Sequence, residues 1–411
     1  MHRHHCIHLF IISVLLVLIA DNCSRTTRSA EPEFTKTEMT MALDSLFATI
    51  FTDANAPGAV VLVMDHDSII YNRSYGMARL DVNVPMTDTT LLNAVSATKT
   101  YVTAGVLKLC EQGRLNLSDT LSKFFPDYNP RVFGRITLRH VLSHTSGLPD
   151  IRPKDDAEWS KFVNTFPSAF TSGSDLALYG GDKELTAFFQ AVDTLHFEPG
   201  TEFNYQDIPY LLIPKVIEAV TDTVFEDWMR KNVFEPAGLR NAQFYNPAKP
   251  HRRMAHGYAP ASEVRNENVF RSSDGRWDEC DYGETPFFST RADHGIFTSP
   301  KGFIRWISSL YGGKVISEES LYMCTAVATH TQNPEIQYGL GMYVQDVDWM
   351  PRKAFHTSVN GGFSVYEAAF PRQQLFYLIF ANRPDWNRLE TALKVDSILL
   401  RYNVLTERVP D

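Results

Sequence analysis

Residues 96–112, "SATKTYVTAGVLKLCEQ", constrain this chain more than any other stretch. They read as a helix that is apolar nearly all round and stops at Gly113, which suits the position just past a helix end. A helix without a polar face belongs in the interior, so the fold has to be assembled around it. Yet this helix opens with Ser96 and carries Lys99 one turn on, the only Ser-x-x-Lys in 411 residues. Residues three apart share a helix face. The Ser96 hydroxyl would therefore be presented to the Lys99 ammonium, where the helix dipole and free N–H groups favour a developing anion. A serine hydroxyl is a weak nucleophile until a neighbouring base or cation lowers the cost of losing its proton. The bland reading makes Ser96 a helix cap and Lys99 a solvated side chain, but a buried lysine without a task is expensive. A chain this long shows about one such match by chance. The rest of the sequence has to decide.

The flanking patterns are mixed. "TEMTMALDSLFATIF" reads as an amphipathic helix, and "GAVVLVMDHDSIIYNRSYG" as an antiparallel hairpin around the Asp65-His66-Asp67 turn. "TLRHVLSHTSGLP" is a short helix from Thr137, ended by Gly147 and Pro149. "PGTEFNYQD" is a turn leading to a helix through Ile217, after which Thr223 and Glu226 predict a capping box for a helix ending before Pro236. Residues 150–195 and 250–295 are richer in Gly, Ser, Asp and Pro and read as long loops around a cleft. "FSVYEAAF" and "QLFYLIFA" are strands joined across Pro371, followed by a closing helix from Asp385. Terminal helices and strands thus enclose a helical middle. The expected class is α+β, with an antiparallel sheet flanked by the terminal helices plus an all-α lobe, over one catalytic domain at 35–405.

The first residues are read as outside this fold. "MHRHHCIHLFIISVLLVLIADNC" has a short basic start and an apolar run at 9–20, too short to span a bilayer and ended by small and polar residues. Residues 1–22 therefore predict a secretory signal, and the histidines at its start (His2, His4, His5, His8) go with targeting and not with metal. A periplasmic or extracellular location follows. A lipid anchor at Cys23 would be the one route to a membrane, although Asp21 and Asn22 are poor residues to precede it. Of five cysteines, Cys6 leaves with the signal, Cys110 reads as an inert core thiol, and Cys280 and Cys324 are free to pair or not. There is no Cys-x-x-Cys, and a net charge of −9 argues against nucleic acid as a partner.

"AVSATKTYVTAGVLKLCEQGRLNLSDTLSKFFPD", "ITLRHVLSHTSGLP", "PGTEFNYQDIPYLLIPKVIEAV" and "FEPAGLRNAQF" follow one another in an order that resembles the serine β-lactamase family. Within it the chain looks most like the branch of class C β-lactamases, D,D-peptidases and esterases, from about residue 40 to 400. That resemblance implies the β-lactamase/transpeptidase fold, with the active site between sheet and lobe, and chemistry without metal or cofactor. It implies Ser96 as nucleophile, Lys99 as its motif partner and Tyr205 as the phenol that relays the nucleophile's proton. "FHTSVNGGF" stands where the family has Lys-Thr-Gly or His-x-Gly, which makes His356 the third-motif residue. The oxyanion hole would be the N–H groups of Ser96 and Val359.

Two departures from the pattern concern the substrate. The second motif reads Tyr205-Gln206-Asp207 where the family has Tyr-x-Asn, and the third reads His356-Thr357-Ser358 where it ends in Gly. An asparagine donates to a substrate amide, whereas an ionised aspartate only accepts. Asp207 beside Lys99 would favour the charged ammonium and leave Tyr205 as proton acceptor. It would also set a negative charge on one wall, and Ser358 would fill space that Gly leaves open. Asp207, His356, Ser358 and Val359 are accordingly expected to contact the substrate, a small molecule or peptide with an ester or amide bond. Other chemistry has less support. His140 and His144 have zinc-compatible spacing but no adjacent Glu, no Gly-x-Ser-x-Gly occurs, and Tyr338 and Tyr366 read as core or cleft rim. The expected function is an exported serine hydrolase. The alternative is a degenerate relative that binds peptidoglycan-like peptides without turnover.

Overall fold

Every residue of Phe363–Phe370 and Leu375–Ala381 is buried, a pattern that only strands covered on both faces can hold. The computed structural model describes residues 33–149, 186, 188–245, 252–261, 269–272, 276–280, 291–326 and 329–406. The expected signal at 1–22, Cys6, Cys23 and most of the expected 150–195 loop lie outside the described residues. The first half runs α1 (Glu33–Ile50), β1 (Ala59–Asp65), β2 (Ser68–Tyr75), β3 (Leu92–Asn93), α2 (Thr98–Glu111), α3 (Leu138–Leu142), α4 (Ile213–Thr221) and α5 (Phe225–Met229). The second half runs β4 (Gln243–Phe244), β5 (Ile296–Thr298), α6 (Pro300–Tyr311), β6 (Thr329–His330), β7 (Ile336–Tyr338), β8 (Tyr343–Gln345), β9 (Lys353–Asn360), β10 (Phe363–Phe370), β11 (Leu375–Ala381) and α7 (Arg388–Arg401).

Strands β6 to β11 pair in chain order, and β1 and β2 add to the far side of β11, giving an eight-stranded antiparallel sheet. The hairpin turn between β1 and β2 falls at His66, which takes a positive φ of 54°. One face of the sheet packs under α1 and α7 through Leu43, Phe47, Val61, Tyr366, Ile379 and Val395. The opposite face packs, through Val60, Leu62, Val365 and Leu378, onto α2, α6 and the helical middle. The α+β expectation holds, because the two faces of the sheet are covered by different parts of the chain. All of α2 except Lys108, Cys110 and Glu111 is buried, as its lack of a polar face requires.

Some local expectations change. The Thr223–Glu226 capping box does not form. The Thr223 hydroxyl donates to the Thr221 carbonyl (3.2 Å), and the N–H of Phe225 goes to Glu218 Oε1 (3.1 Å). The reason is Arg291, which draws the carboxylates of both Glu218 and Glu226 to 3.3 Å. Within 250–295, Tyr258–Pro260, Val269–Ser272 and Trp277–Cys280 form a small antiparallel sheet where loops were expected. Its Trp277 is buried under the Arg383 guanidinium, 4.4 Å from the ring centroid. Cys280 and Cys324 are both buried and not bridged to each other, and Cys110 is half-buried, its thiol pushed up to about 11 by burial. Among the described residues no helix is long and apolar enough to cross a membrane.

Candidate active site

Ser96 does not begin α2 itself. It sits in the 3-10 turn Val95–Ala97 just ahead of the helix and is 6% exposed. That turn is held from outside. Strand β3 pairs with β5, the Ala94 N–H donates to the Ile296 carbonyl (2.8 Å), and the Ile296 N–H donates to Thr98 Oγ1 (3.3 Å). Val95 has φ of +49°, which costs a β-branched residue on the order of 1–3 kcal/mol. The Asn93 side chain accepts the Val95 N–H at 2.8 Å and fixes it there.

Lys99 is fully buried, and a buried ammonium costs several kcal/mol unless it is matched. Its Nζ lies 2.6 Å from Asp207 Oδ1 and 3.4 Å from the Asp293 carbonyl. The rings of Tyr205 and Tyr210 face it at 5.1 and 5.4 Å. The second oxygen of Asp207 lies 3.5 Å from His294 Nε2, and His294 Nδ1 lies 2.7 Å from Asp293 Oδ2. Burial works against a charged His294 ring, but Asp293 and then Asp207 outweigh it and raise the imidazole to about 9. The result is an alternating row of charges, Lys99, Asp207, His294 and Asp293. The donor atoms of Asp207, Asp293 and His294 lie within 4.8 Å of one another. With Lys99 on one Asp207 oxygen and His294 clamped by Asp293, we read the group as an ion-pair network.

The loop carrying Tyr205 is anchored by His144. Its Nδ1 accepts the Gln206 N–H at 3.2 Å, and its Nε2 is 3.2 Å from the Tyr338 hydroxyl. Burial, reinforced by the charge of Lys99, holds His144 well below the ordinary histidine range. His140 instead caps α3, its Nδ1 accepting the Thr137 N–H (3.2 Å). The two histidines therefore serve separate backbone groups. Tyr205 also packs on His144 (4.1 Å between ring centroids) and stacks on Tyr343 at 6.1 Å. Tyr366 lies on the other face of the sheet, stacked between Phe355 and Tyr377.

The fourth wall is β9. Strand β8 pairs with it only through Lys353, Ala354 and Phe355, so among the described residues the 356–360 edge has no strand on that side, and β9 packs there against the Val95–Ala97 turn. His356 is fully buried, and burial together with Lys99 pushes its ring down to about 3, so it is neutral. Among the described residues neither of its ring nitrogens nor the Ser358 hydroxyl has a hydrogen-bond partner. Buried polar atoms without partners are rare, and cluster where a ligand or water completes them. The Val359 side chain points away and is 46% exposed, leaving only its backbone to serve the site.

The β-lactamase family model matches residues 43–398. The chain belongs to the β-lactamase family. Penicillin-binding protein 4* of Bacillus subtilis (strain 168) is 24% identical over 357 residues, 85% of this chain and 73% of that protein. Protein flp of Staphylococcus aureus (strain MW2) is 23% identical over 350 residues, 83% of this chain and 62% of flp, so the chain spans less than two thirds of that relative. Among solved structures, the octameric penicillin-binding protein homologue from Pyrococcus abyssi has a TM-score of 0.71 at 19% identity, over 88% of this chain and 77% of that one. D-amino acid amidase from Ochrobactrum anthropi SV3, complexed with D-phenylalanine, has a TM-score of 0.69 at 19% identity, over 89% and 98%.

In this β-lactamase-family chain the fold brings Lys99, Tyr205, Asp207 and His356 around one buried centre beside the turn that carries Ser96. One expectation is corrected. Asp207 does not present a bare negative charge to a substrate: it is buried, with Lys99 on one oxygen and His294 beside the other. Sequence reasoning missed Asp293 and His294 altogether. Nothing in their local pattern links them to residue 207, and their one signal is an acid beside a histidine just ahead of a buried strand. The positive φ of Val95 was equally invisible, because Gly and Asn are the residues that announce it.

Proposed function

We propose that this chain is an exported serine hydrolase that forms an acyl-enzyme on Ser96. The observation that carries the reading is Lys99, a fully buried ammonium beside the Ser96 turn, held by Asp207 and facing the Tyr205 ring. Ser96 Oγ attacks the substrate carbonyl carbon while its proton passes to Tyr205, whose phenolate the Lys99 ammonium stabilises. The N–H groups of Ser96 and Val359 hold the tetrahedral oxyanion. Collapse returns the proton from Tyr205 to the departing alcohol or amine. Water then attacks the acyl-enzyme carbonyl as Tyr205 takes one of its protons, and Tyr205 returns that proton to Ser96 Oγ as the bond from the acyl carbon to Ser96 breaks.

The substrate class follows from charge. His356 is neutral across the working range, so the third motif offers no permanent cation to a carboxylate. A neutral ester or amide, either a short acyl derivative or a D-amino-acid derivative from the cell wall, suits this site better than an anionic β-lactam. Ser358 narrows the strand edge. No cofactor is needed for these steps. Catalysis belongs to residues 35–405, with residues 1–22 removed on export to the periplasm or the exterior and Cys23 as a candidate lipid anchor.

A second reading, a peptide-binding relative without turnover, is favoured by one observation. Lys99 is committed to Asp207 at 2.6 Å. Intact-mass analysis after exposure to p-nitrophenyl esters, D-amino-acid amides and β-lactams separates the two. The hydrolase gains an acyl mass that Ser96→Ala does not, whereas a binder gains none from any compound.

A further inference from the structure

The row of charges behind Lys99 is longer than acylation at Ser96 requires. Asp207 has two oxygens, and Lys99 occupies only Oδ1, at 2.6 Å. Oδ2 faces His294 Nε2 at 3.5 Å, and the far side of that ring is fixed by Asp293 at 2.7 Å. Lys99, Asp207 and Asp293 are buried, while the His294 side chain keeps 13% of its surface exposed, so the row is most open to solvent there. Two carboxylates against one ammonium would leave a buried net negative charge next to Lys99 and Tyr205. A charged His294 brings the sum to zero. The same segment also docks on α2, through the Asp293 carbonyl on Lys99 and the Ile296 N–H on Thr98.

We propose that His294 is a positioning residue for the reaction at Ser96: clamped by Asp293, its imidazolium shares Asp207 with Lys99 and so sets how tightly Asp207 holds that ammonium. This rests on the serine hydrolase reading above. Without the imidazolium, Asp207 holds Lys99 with its whole charge, and the loss of the Tyr205 proton is opposed by net negative charge. The ring is raised to about 9, so it carries this charge through neutral pH. The charged and titratable groups around it are Asp293 beside it, Lys99 on α2, Asp207 and Tyr205 on the second-motif loop, and His356 on β9. His356 is itself lowered in part by His294.

The test reads the rate of Ser96 phosphonylation by a fluorophosphonate probe from pH 5 to 10, with thermal melts to confirm folding. In His294→Gln the acid limb of that profile should move up by about one pH unit, and in Asp207→Asn it should move down. Substituting His294 in the Asp207→Asn background should move the limb far less than in wild type. Unmoved limbs, or equal displacement in both backgrounds, overturn the role assigned to His294. If His294→Gln fails to fold, Asp293→Asn keeps a hydrogen bond to the ring but removes the charge behind it, and should lower the pH at which the ring titrates by NMR, an unchanged value overturning the clamp. A readout independent of turnover is the His294 ring signal in NMR. Its midpoint should lie near 9 in wild type and fall in Asp207→Asn. A wild-type midpoint at the ordinary value of about 6.5 overturns the inference whatever Ser96 does. Tight zinc binding by wild type that is lost in His294→Gln would also overturn it, as the mark of a metal centre. An unlabelled wild-type Ser96 with His294 titrating near 9 instead refutes the hydrolase reading, and the positioning role falls with it.

Discussion

His356 and Glu367 stand directly opposite each other in register on β9 and β10, on the face of the sheet turned toward α2. Both are buried, and burial drives them to neutrality from opposite sides: the imidazole down to about 3 and the carboxyl up to about 8. This cross-strand histidine–glutamate pair is therefore two uncharged groups at pH 7.

Glu367 should make stability depend on pH. Its carboxyl stays protonated in the fold up to about 8, whereas in the unfolded chain it ionises near 4.5. The unfolded state thus gains from ionisation across that window, and the stabilising share of Glu367 is complete below 4.5 and lost as pH rises toward 8. Glu367→Gln should match wild type in thermal melts near pH 4.5 and exceed it near pH 8.5, by roughly 2–4 kcal/mol or a few degrees. Parallel curves of melting temperature against pH would refute the assignment.

Lys353 and Asp396 form a second fully buried pair, 2.6 Å apart, with the Tyr377 hydroxyl donating to the other Asp396 oxygen at 2.8 Å. Removing one partner strands a buried charge. Lys353→Met should cost about 3–5 kcal/mol in chemical denaturation, and the Lys353→Met/Asp396→Leu double variant much less. Equal losses in both would show that packing, and not charge, dominates the site.

A fluorophosphonate probe should modify Ser96 and no other residue, because a matched buried ammonium and a phenol lie beside the turn that carries it. Peptide mapping checks this. Undiminished labelling of Ser96→Ala would remove Ser96 from the mechanism.

Neutral short-chain esters should be turned over about ten- to a hundredfold faster than nitrocefin at pH 7.5, since a charge-assisted contact to a carboxylate is worth about 1.5–3 kcal/mol and His356 cannot make one. With Asp207 matched by Lys99 and His294, this gap comes from His356 and not from repulsion by Asp207. His356→Lys should therefore narrow it more than Asp207→Asn does, in kcat/KM for a p-nitrophenyl ester and for nitrocefin. Equal turnover of both compounds by wild type would instead favour a β-lactamase.

The parts of this fold that sequence revealed are those encoded locally. The β1–β2 hairpin, α1, the buried α2 and the paired strands β10 and β11 each follow from the spacing of apolar residues within one segment. The family motifs likewise pointed to Ser96, Lys99, Tyr205 and His356. What stayed hidden depends on partners far along the chain. The Thr223 cap is lost to Arg291, the sheet at Tyr258–Pro260 needs strands from two later segments, and Asp207 acquires its second cation from His294. Each is a competition between a local preference and a distant charge or strand, and no local window contains both contestants.

The left-handed Val95 has a consequence for what can be transplanted. Its φ of +49° is not chosen by residues 95–111; it is imposed by Asn93 and by the β5 segment that clasps the turn. A peptide or grafted helix bearing the Ser-x-x-Lys sequence would relax Val95 and swing Ser96 off its line. The address of the nucleophile is thus written some two hundred positions downstream, around Ile296, and engineering that copies the motif without that segment copies the letters and loses the place.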